Sequence, residues 1–335
     1  ILRAGIYNIT SEDDNLKSII DRAIYAKSSL PELAASDYIY YDDNMKLDLQ
    51  REKELERDMN LALINGEFEV YFQPKVDIYS KRIVGAEALV RWMHPTRGMV
   101  FPDEFIPFFE KSGFIIKLDM YMFDRLCRYQ RELIDNGIDV VTISCNFSRK
   151  HLHRNDWPER LNEVLEKYKL DADLFEIEIT ETVSEEQFDM VASMVKRLKD
   201  SGYKIAIDDF GSGYSSIQLL YKIPIDVLKM DKSCISVDSV DTMETEIITS
   251  IINIAHSHGI SIIWEGVENK SQERLIKDLG GRYVQGFLYA RPMDYTHYRL
   301  LTQQGFDMAA DLDTVEDIGN LKVLPDTKAL LEKKL

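Results

Sequence analysis

The sequence predicts an α/β fold closed as a TIM-like (β/α)8 barrel with one antiparallel strand, and three observations carry that expectation. From about residue 68 onward, β-rich runs recur at 68–78, 83–92, 140–147, 174–180, 204–210, 227–231, 260–266 and 283–289. Helical periodicity at Pro158–Tyr168, Phe188–Asp200, Glu244–His258 and Ser271–Leu279 falls between most of them. Repeated βα units over roughly 240 residues favour a barrel over a doubly wound sheet. Only Tyr79-Ser80-Lys81-Arg82 separates the first two runs. That is too short for a right-handed crossover, so the two pair antiparallel and one barrel strand is reversed.

The remaining segments follow in chain order. Ile1–Tyr7 reads as a strand and Asn15–Lys27 as an amphipathic helix with Leu16, Ile19, Ile20, Ala23 and Ile24 on one stripe. One strand and one helix cannot close a core, so residues 1–41 either pack on the rest of the chain or are the end of a larger domain. Residues 42–58 carry eleven charges in seventeen positions with no Gly or Pro, and Leu55, Met59 and Leu63 repeat at helical spacing beyond them. This reads as an exposed helical linker leading into a docked helix, and as a domain boundary. The barrel domain then occupies 59–306, and residues 307–335 form an acidic tail with no assigned role.

Composition narrows the function. In 335 residues, 58 Asp and Glu outweigh 41 Lys and Arg, for a net charge of -17. That balance excludes broad binding to the backbone of duplex nucleic acid, though a bound metal can still attract a small anion. Three well-separated cysteines, Cys127, Cys145 and Cys234, form no disulfide framework. There is no apolar run of membrane-spanning length and no basic, apolar leader. A cytoplasmic chain without membrane contact from this segment is the expectation.

Chemistry in a parallel barrel sits at the C-terminal ends of its strands. Those ends are polar here, where a purely structural barrel would carry Val, Ile and Leu. The second run holds Glu87 and Arg91, and the third ends in Asn146 and Ser148. The fourth carries Glu176, Glu178 and Glu181, and the fifth ends Asp208-Asp209-Phe210-Gly211. Lys229 and Asp231 lie in the sixth, Glu265 and Glu268 close the seventh, and Gln285 stands in the eighth. Period-two alternation sets Glu178 against Ile177 and Ile179, and Lys229 against Leu228 and Met230. Asp208 is opposite in phase to Ile205 and Ile207, and Trp264 beside Glu265 turns toward the helices. The polar set can therefore face the barrel axis.

Several carboxylates at one mouth repel strongly unless protonated or joined by a cation. All-oxygen donors without His or Cys select hard ions, so Mg²⁺ or Mn²⁺ is expected over Zn²⁺. The adjacent pair Asp208-Asp209 can reach one mouth only where the strand dissolves into the next loop. One ion is expected, and the number of carboxylates leaves room for a second, as suits phosphodiester hydrolysis. The loop Asp209–Ser216, with Gly211 and Gly213, reads as a flap over this site. His151-x-His153, His256-x-His258 and the three cysteines are read as structural, lacking the partners that metal binding or nucleophilic catalysis needs.

The run Glu87-Ala88-Leu89-Val90-Arg91-Trp92 resembles the signature of the EAL family of bacterial cyclic di-GMP phosphodiesterases. The resemblance extends from about Leu55 to Phe306 through Tyr71-Phe72-Gln73-Pro74-Lys75-Val76, Phe105-Ile106-Pro107, Glu110–Phe114 and Asn146-x-Ser148. It continues in Glu178-Ile179-Thr180-Glu181, Asp208–Gly211, Leu228–Asp231, Glu265–Glu268 and Gln285-Gly286-Phe287. It implies an often dimeric barrel with one antiparallel strand that opens cyclic di-GMP to linear 5′-pGpG, in second-messenger signalling. By motif match, Glu87, Asn146, Glu178 and Asp208 would bind one divalent ion, and Asp209 with Glu265 a second. Lys229 would orient the attacking water, and Gln73 and Arg91 would contact the substrate. Gln285 would support water or substrate, and Glu181 would anchor the loop after the fifth strand. Trp264 stands where the family usually has a small residue, and Met230 and Phe287 replace the common Ile and Tyr. None of these removes a ligand.

Asp21–Lys27 resembles the end of a GGDEF (diguanylate cyclase-like) domain without its catalytic loop. An upstream sensory or GGDEF segment in a longer parent protein is therefore expected, with no cyclase activity here. The alternative to an enzyme is a catalytically silent cyclic di-GMP receptor or scaffold.

Overall fold

The computed structural model describes residues 2–11, 15–30, 37–180, 188–211, 218–235 and 242–303. It divides into two compact units, Ile1–Glu67 and Phe68–Leu335. The expected loop anchor Glu181, the flap residues 212–216 and the tail 307–335 lie outside the described residues.

The first unit holds β1 (Arg3–Ile6), α1 (Leu16–Ser28), β2 (Asp37–Tyr40) and α2 (Asp43–Asn65). β1 and β2 pair in parallel with α1 between them, a βαβ arrangement. The Asn15 side chain caps α1 by accepting from the Lys17 N–H at 2.9 Å, and Asp42 caps α2 by accepting from the Met45 N–H at 2.8 Å. The expected apolar stripe of α1 is only partly covered. Ala26 is buried, whereas Leu16, Ile20 and Ile24 are exposed, because a two-stranded sheet is too narrow to bury the whole face. The charged stretch 42–58 is helical and continuous with the segment beyond it. A single 23-residue helix runs through it to Asn65 and stops at Gly66, the left-handed C-cap.

The second unit opens with β3 (Phe68–Asp77), β4 (Ile83–His94), β5 (Gly98–Val100), α3 (Pro102–Ser112) and α4 (Ile115–Asp135). It continues through β6 (Thr142–Asn146), α5 (Trp157–Tyr168), β7 (Phe175–Thr180), α6 (Phe188–Asp200) and β8 (Lys204–Phe210). There follow α7 (Gln218–Lys222), β9 (Val227–Met230), α8 (Thr242–Ser257), β10 (Ser261–Trp264) and α9 (Lys270–Asp278). β11 (Tyr283–Val284), β12 (Met293–Asp294) and α10 (Tyr295–Gln303) complete it.

The hydrogen-bonded order β3-β11-β10-β9-β8-β7-β6-β4 returns to β3, so eight strands close into a barrel. β3 runs antiparallel to both of its ring neighbours and the other ring pairs are parallel, the single reversal the short first loop implies. All eight expected strands are present, but the last is cut short. A side chain on Gly286 would place its Cβ 2.2 Å from the Val267 carbonyl oxygen, so the chain there presses against the neighbouring backbone and leaves the ladder. β12 then takes up pairing with β3 at Met293 and Phe72.

Alternation along the strands produces two unlike interiors. The outward faces meet the helices in one large apolar core that includes Phe72, Ile143, Ile177, Ile207, Leu228 and Trp264. Each such residue contributes roughly 1.5–3 kcal/mol through burial. Inside the barrel Ala206, Val227 and Ile263, with Tyr283 against them, form a small apolar cluster. The buried Gln73, Lys75, Glu87, Ser144, Glu176, Glu178, Lys229 and Gln285 belong to the opposite, polar set. No helix among the described residues is long and apolar enough to cross a membrane.

Candidate active site

Lys229, on β9, is the centre of the mouth. Its ammonium lies 2.8 Å from Asp208, 2.9 Å from Glu178, 2.9 Å from Glu265 and 3.4 Å from Glu87. Strand register delivers these groups to one level: Asn146 of β6 stands beside Glu178 of β7, and Gln73 of β3 beside Glu87 of β4. The backbone N–H of Glu265 donates to Met230 at 3.0 Å, so Glu265 continues the line of β10 one residue past the ladder. The amide group of Asn146 donates to Glu87 Oε1 at 2.7 Å, and Gln285 donates to Glu87 Oε2 at 2.5 Å. Gln285 also donates to Gln73 Oε1 at 3.1 Å, while the Gln73 amide donates to the Ala290 carbonyl.

Asp208 and Asp209 reach the same mouth by a bulge, not by the strand ending. β8 continues to Phe210, its register with β9 breaks between Ile207 and Phe210, and Asp209 takes the left-handed φ of 56°. A non-glycine residue pays about 1–2 kcal/mol for that conformation, though Asp tolerates it better than most. Strain retained beside a carboxylate cluster suggests that the carboxylate matters there. Asp209→Gly is therefore expected to keep or raise the thermal midpoint while weakening Mn²⁺ binding, as read by melting and calorimetry on one sample.

Burial acts to push Glu87 up, but the Lys229 and Lys75 ammonium groups and the bonds from Gln285 and Asn146 prevail and hold it at about 2. Burial and the Glu87 charge push Glu178 well up. Burial also lifts Glu265 to about 7, Lys229 opposing and Asp208 and Glu87 adding to the rise, and burial and the Asp208 charge raise Asp209. Burial alone would lower Lys229, yet the surrounding carboxylates carry it well above the usual lysine value, so it remains an ammonium.

These shifts describe a mouth with more negative charge than its lysines offset. The carboxylate oxygens of Glu87, Glu178 and Asp208 lie within 4.8 Å of one another, as do those of Asp208, Asp209 and Glu265. Either group could hold a metal ion, and their all-oxygen chemistry fits a hard divalent one. Gln285 Oε1 is buried with no partner beside them, an acceptor fit for the hydrogens of a water. A cavity of about 210 Å³ opens over this floor, lined by Gln73, Glu87, Glu265, Gln285 and the exposed Phe287 ring among others.

Arg91 departs from the cluster. It shares a face with Glu87 but stands four pairs further along β4, its guanidinium 5.6 Å from the rings of both Tyr71 and Phe101. Among the described residues, neither histidine pair joins a group of side chains placed to hold one ion. His151 is buried against Asp119 at 3.0 Å, and His256 and His258 are exposed near the end of α8.

Two features escaped the sequence reading. Lys75 and Glu176, neither of them among the expected site residues, are buried and paired below the mouth at 2.8 Å. Asp119 of α4 accepts both His151 Nε2 and, at 2.9 Å, the Ser148 backbone N–H two residues past Asn146. Asp119→Ala would strip two donors of a buried acceptor, at a cost of about 1–3 kcal/mol. A lower urea midpoint with an unchanged slope is the expected reading.

A model of the EAL domain family matches residues 56–292. The chain is 30% identical over 256 residues to the bifunctional diguanylate cyclase/cyclic di-GMP phosphodiesterase MucR of Pseudomonas aeruginosa, covering 76% of this chain and 37% of that protein. It is 33% identical over 243 residues to the cyclic di-GMP phosphodiesterase NbdA of the same organism, covering 72% of this chain and 31% of the relative. Among solved structures it resembles the PaMucR phosphodiesterase in complex with c-di-GMP, with TM-score 0.68 and 31% identity over 73% of this chain and 99% of that one. The chain thus spans well under half the length of the two curated relatives.

Proposed function

The chain belongs to the EAL domain family, and from that membership and the chemistry of its barrel mouth we propose that it hydrolyses cyclic di-GMP to linear 5′-pGpG in a metal-dependent reaction. The observation that carries this reading is the convergence of Glu87, Glu178, Asp208 and Glu265 on Lys229 within 3.4 Å. A receptor that only holds the nucleotide has no need of so costly a charge cluster.

Glu87, Asn146, Glu178 and Asp208 would hold one divalent ion, and Asp209 and Glu265, sharing Asp208, would hold a second. Bound there, Mg²⁺ or Mn²⁺ supplies Lewis-acid stabilisation of the charge that builds on the phosphoryl oxygens. Lys229 is no general base, since it stays protonated. Its three N–H groups are directed at Glu178, Asp208 and Glu265. Central among these carboxylates, Lys229 would orient the attacking water through one of its N–H groups. Gln285, fixed by its bonds to Glu87 and Gln73, offers Oε1 to the same water. The water oxygen bonds to phosphorus as the P–O3′ bond breaks, and the proton the water gives up passes, in net, to the departing 3′ oxygen. Gln73 would touch the substrate at the mouth, Arg91 would meet it further out, and the exposed Phe287 ring offers a stacking face for guanine.

The βαβ order of β1, α1 and β2 supports reading residues 1–41 as the end of a GGDEF-like domain. We extend the proposal to a homodimeric signalling protein in which that domain precedes the barrel.

Hydrolysis in ¹⁸O-labelled water tests the reaction. Mass spectrometry is expected to find 5′-pGpG carrying one ¹⁸O on its terminal phosphate. Cyclic di-GMP bound but recovered intact would overturn the enzyme reading in favour of a receptor.

A further inference from the structure

We propose that Lys75 and Glu176, with Ser144 beside them, form a charged layer beneath the mouth that positions Glu178 to hold a divalent ion; this rests on reading the mouth as a metal site. The three side chains are almost wholly enclosed, at 3%, 5% and 1% exposure. Lys75 Nζ lies 2.8 Å from Glu176 Oε1 and 3.2 Å from Glu178 Oε1, and also donates to Ser144 Oγ. Ser144 Oγ in turn donates to Glu176 Oε1 at 2.5 Å. All three ammonium hydrogens of Lys75 are thereby committed, and each leads to a residue of β6 or β7.

Register explains why this layer acts on the one above it. Ser144 and Glu176 are partners across β6 and β7, and one period higher the partners are Asn146 and Glu178. Glu178 is gripped from two sides, Oε1 by Lys75 and Oε2 by Lys229 at 2.9 Å. Lys229 is shared among four carboxylates, whereas among the described residues the carboxylates that Lys75 bridges are Glu178 and its own counter-ion Glu176. Lys75 therefore fixes the place of Glu178 independently of what happens at the mouth.

Packing alone does not call for these charges. Ala206, Val227 and Ile263 fill another part of the same interior without a charge. A buried ion pair is commonly replaceable by apolar residues without loss of stability. Its use is better sought in orientation, since groups that hold a metal ligand in place typically change metal affinity or activity by about 10–100-fold when removed.

The test is Lys75→Met/Glu176→Gln, which removes one charge of each sign and leaves the net charge of the interior unchanged. Mn²⁺ titration by calorimetry without nucleotide is expected to show affinity weakened about tenfold or more. The Mn²⁺ concentration for half-maximal hydrolysis should rise in parallel, with KM for cyclic di-GMP at saturating Mn²⁺ within about twofold of wild type. The control pair Lys81→Met/Glu273→Gln removes a different, partly buried ion pair, 2.9 Å apart, that touches no mouth carboxylate, and it should leave Mn²⁺ affinity unchanged. Ser144→Ala, a smaller deletion, is expected to weaken Mn²⁺ binding about threefold, within the usual non-additive range for such networks; it carries the test if the paired variant does not fold. A folded paired variant that binds Mn²⁺ as wild type does would overturn the proposal and leave the hydrolase reading intact. A wild-type chain that binds Mn²⁺ without hydrolysing cyclic di-GMP, while the paired variant binds it more weakly, would support the proposal and overturn the hydrolase reading.

Discussion

Lys229→Met is expected to lower the thermal midpoint in chelator by roughly 6–20 °C and to abolish turnover. The substitution keeps the length of the side chain but leaves Glu87, Glu178, Asp208 and Glu265 without their common counter-ion. Removing one partner from a buried charge cluster costs about 3–5 kcal/mol, and for a unit of this size each kcal/mol moves the midpoint by about 2–4 °C. Millimolar Mg²⁺ or Mn²⁺ should restore more of the midpoint in the variant than in wild type, because an ion that binds only the folded state stabilises it by mass action. The pH dependence has a definite sign. The Glu265 carboxyl is raised to about 7, so its contribution to stability is complete below the ordinary carboxylate range and is lost as pH rises through about 7. Lys229 opposes that rise, so in the variant the carboxyl is raised further and the loss of stability continues to higher pH than in wild type. Melting curves at a series of pH values, with and without metal, check every part of this. A midpoint unchanged by the substitution would mean that the lysine is not the charge centre of the mouth.

Glu87→Gln should behave differently, losing turnover by about 10²–10³-fold, the scale seen when one group that stabilises transition-state charge is removed. Glutamine keeps an oxygen to accept from Asn146 or Gln285, and Lys229 retains its three nearer partners. The fold should therefore survive, with a midpoint in chelator close to that of wild type. Mn²⁺ affinity should fall, since one of the two carboxylate trios loses a charged member. Lys229→Met and Glu87→Gln together separate the electrostatic centre of the site from its ligand set: the first is read mainly in stability, the second mainly in rate.

The barrel and most of the mouth were legible because both follow from alternation. Glu178 between Ile177 and Ile179, and Lys229 between Leu228 and Met230, can satisfy the outer core only by turning inward. The same logic applied with equal force to Lys75, Ser144 and Glu176, one period below the mouth. Of these, Glu176 stands out in the sequence as one of the polar residues of its run, but nothing there marks its pairing with Lys75, which lies 101 residues away. Asp209 was placed by its neighbour and not by its geometry, since a left-handed residue within a strand leaves no mark in a sequence. Arg91 shows the limit of shared phase: it faces as Glu87 does, yet its contacts are with aromatic rings beyond the carboxylates. The charged stretch 42–58 reads as an exposed helix leading into a docked one, and a single helix spans both because no Gly or Pro interrupts the chain before Gly66. High charge marks an exposed face and does not terminate a helix.

The central claim is that this mouth hydrolyses cyclic di-GMP with the help of a divalent ion. It is tested most directly by incubating the purified chain with cyclic di-GMP after chelator treatment, then again with Mn²⁺ or Mg²⁺ restored, and resolving the nucleotides by chromatography. The predicted result is intact cyclic nucleotide in chelator and linear 5′-pGpG once metal returns. Linear product formed equally well in chelator, or none formed in either metal, would contradict it.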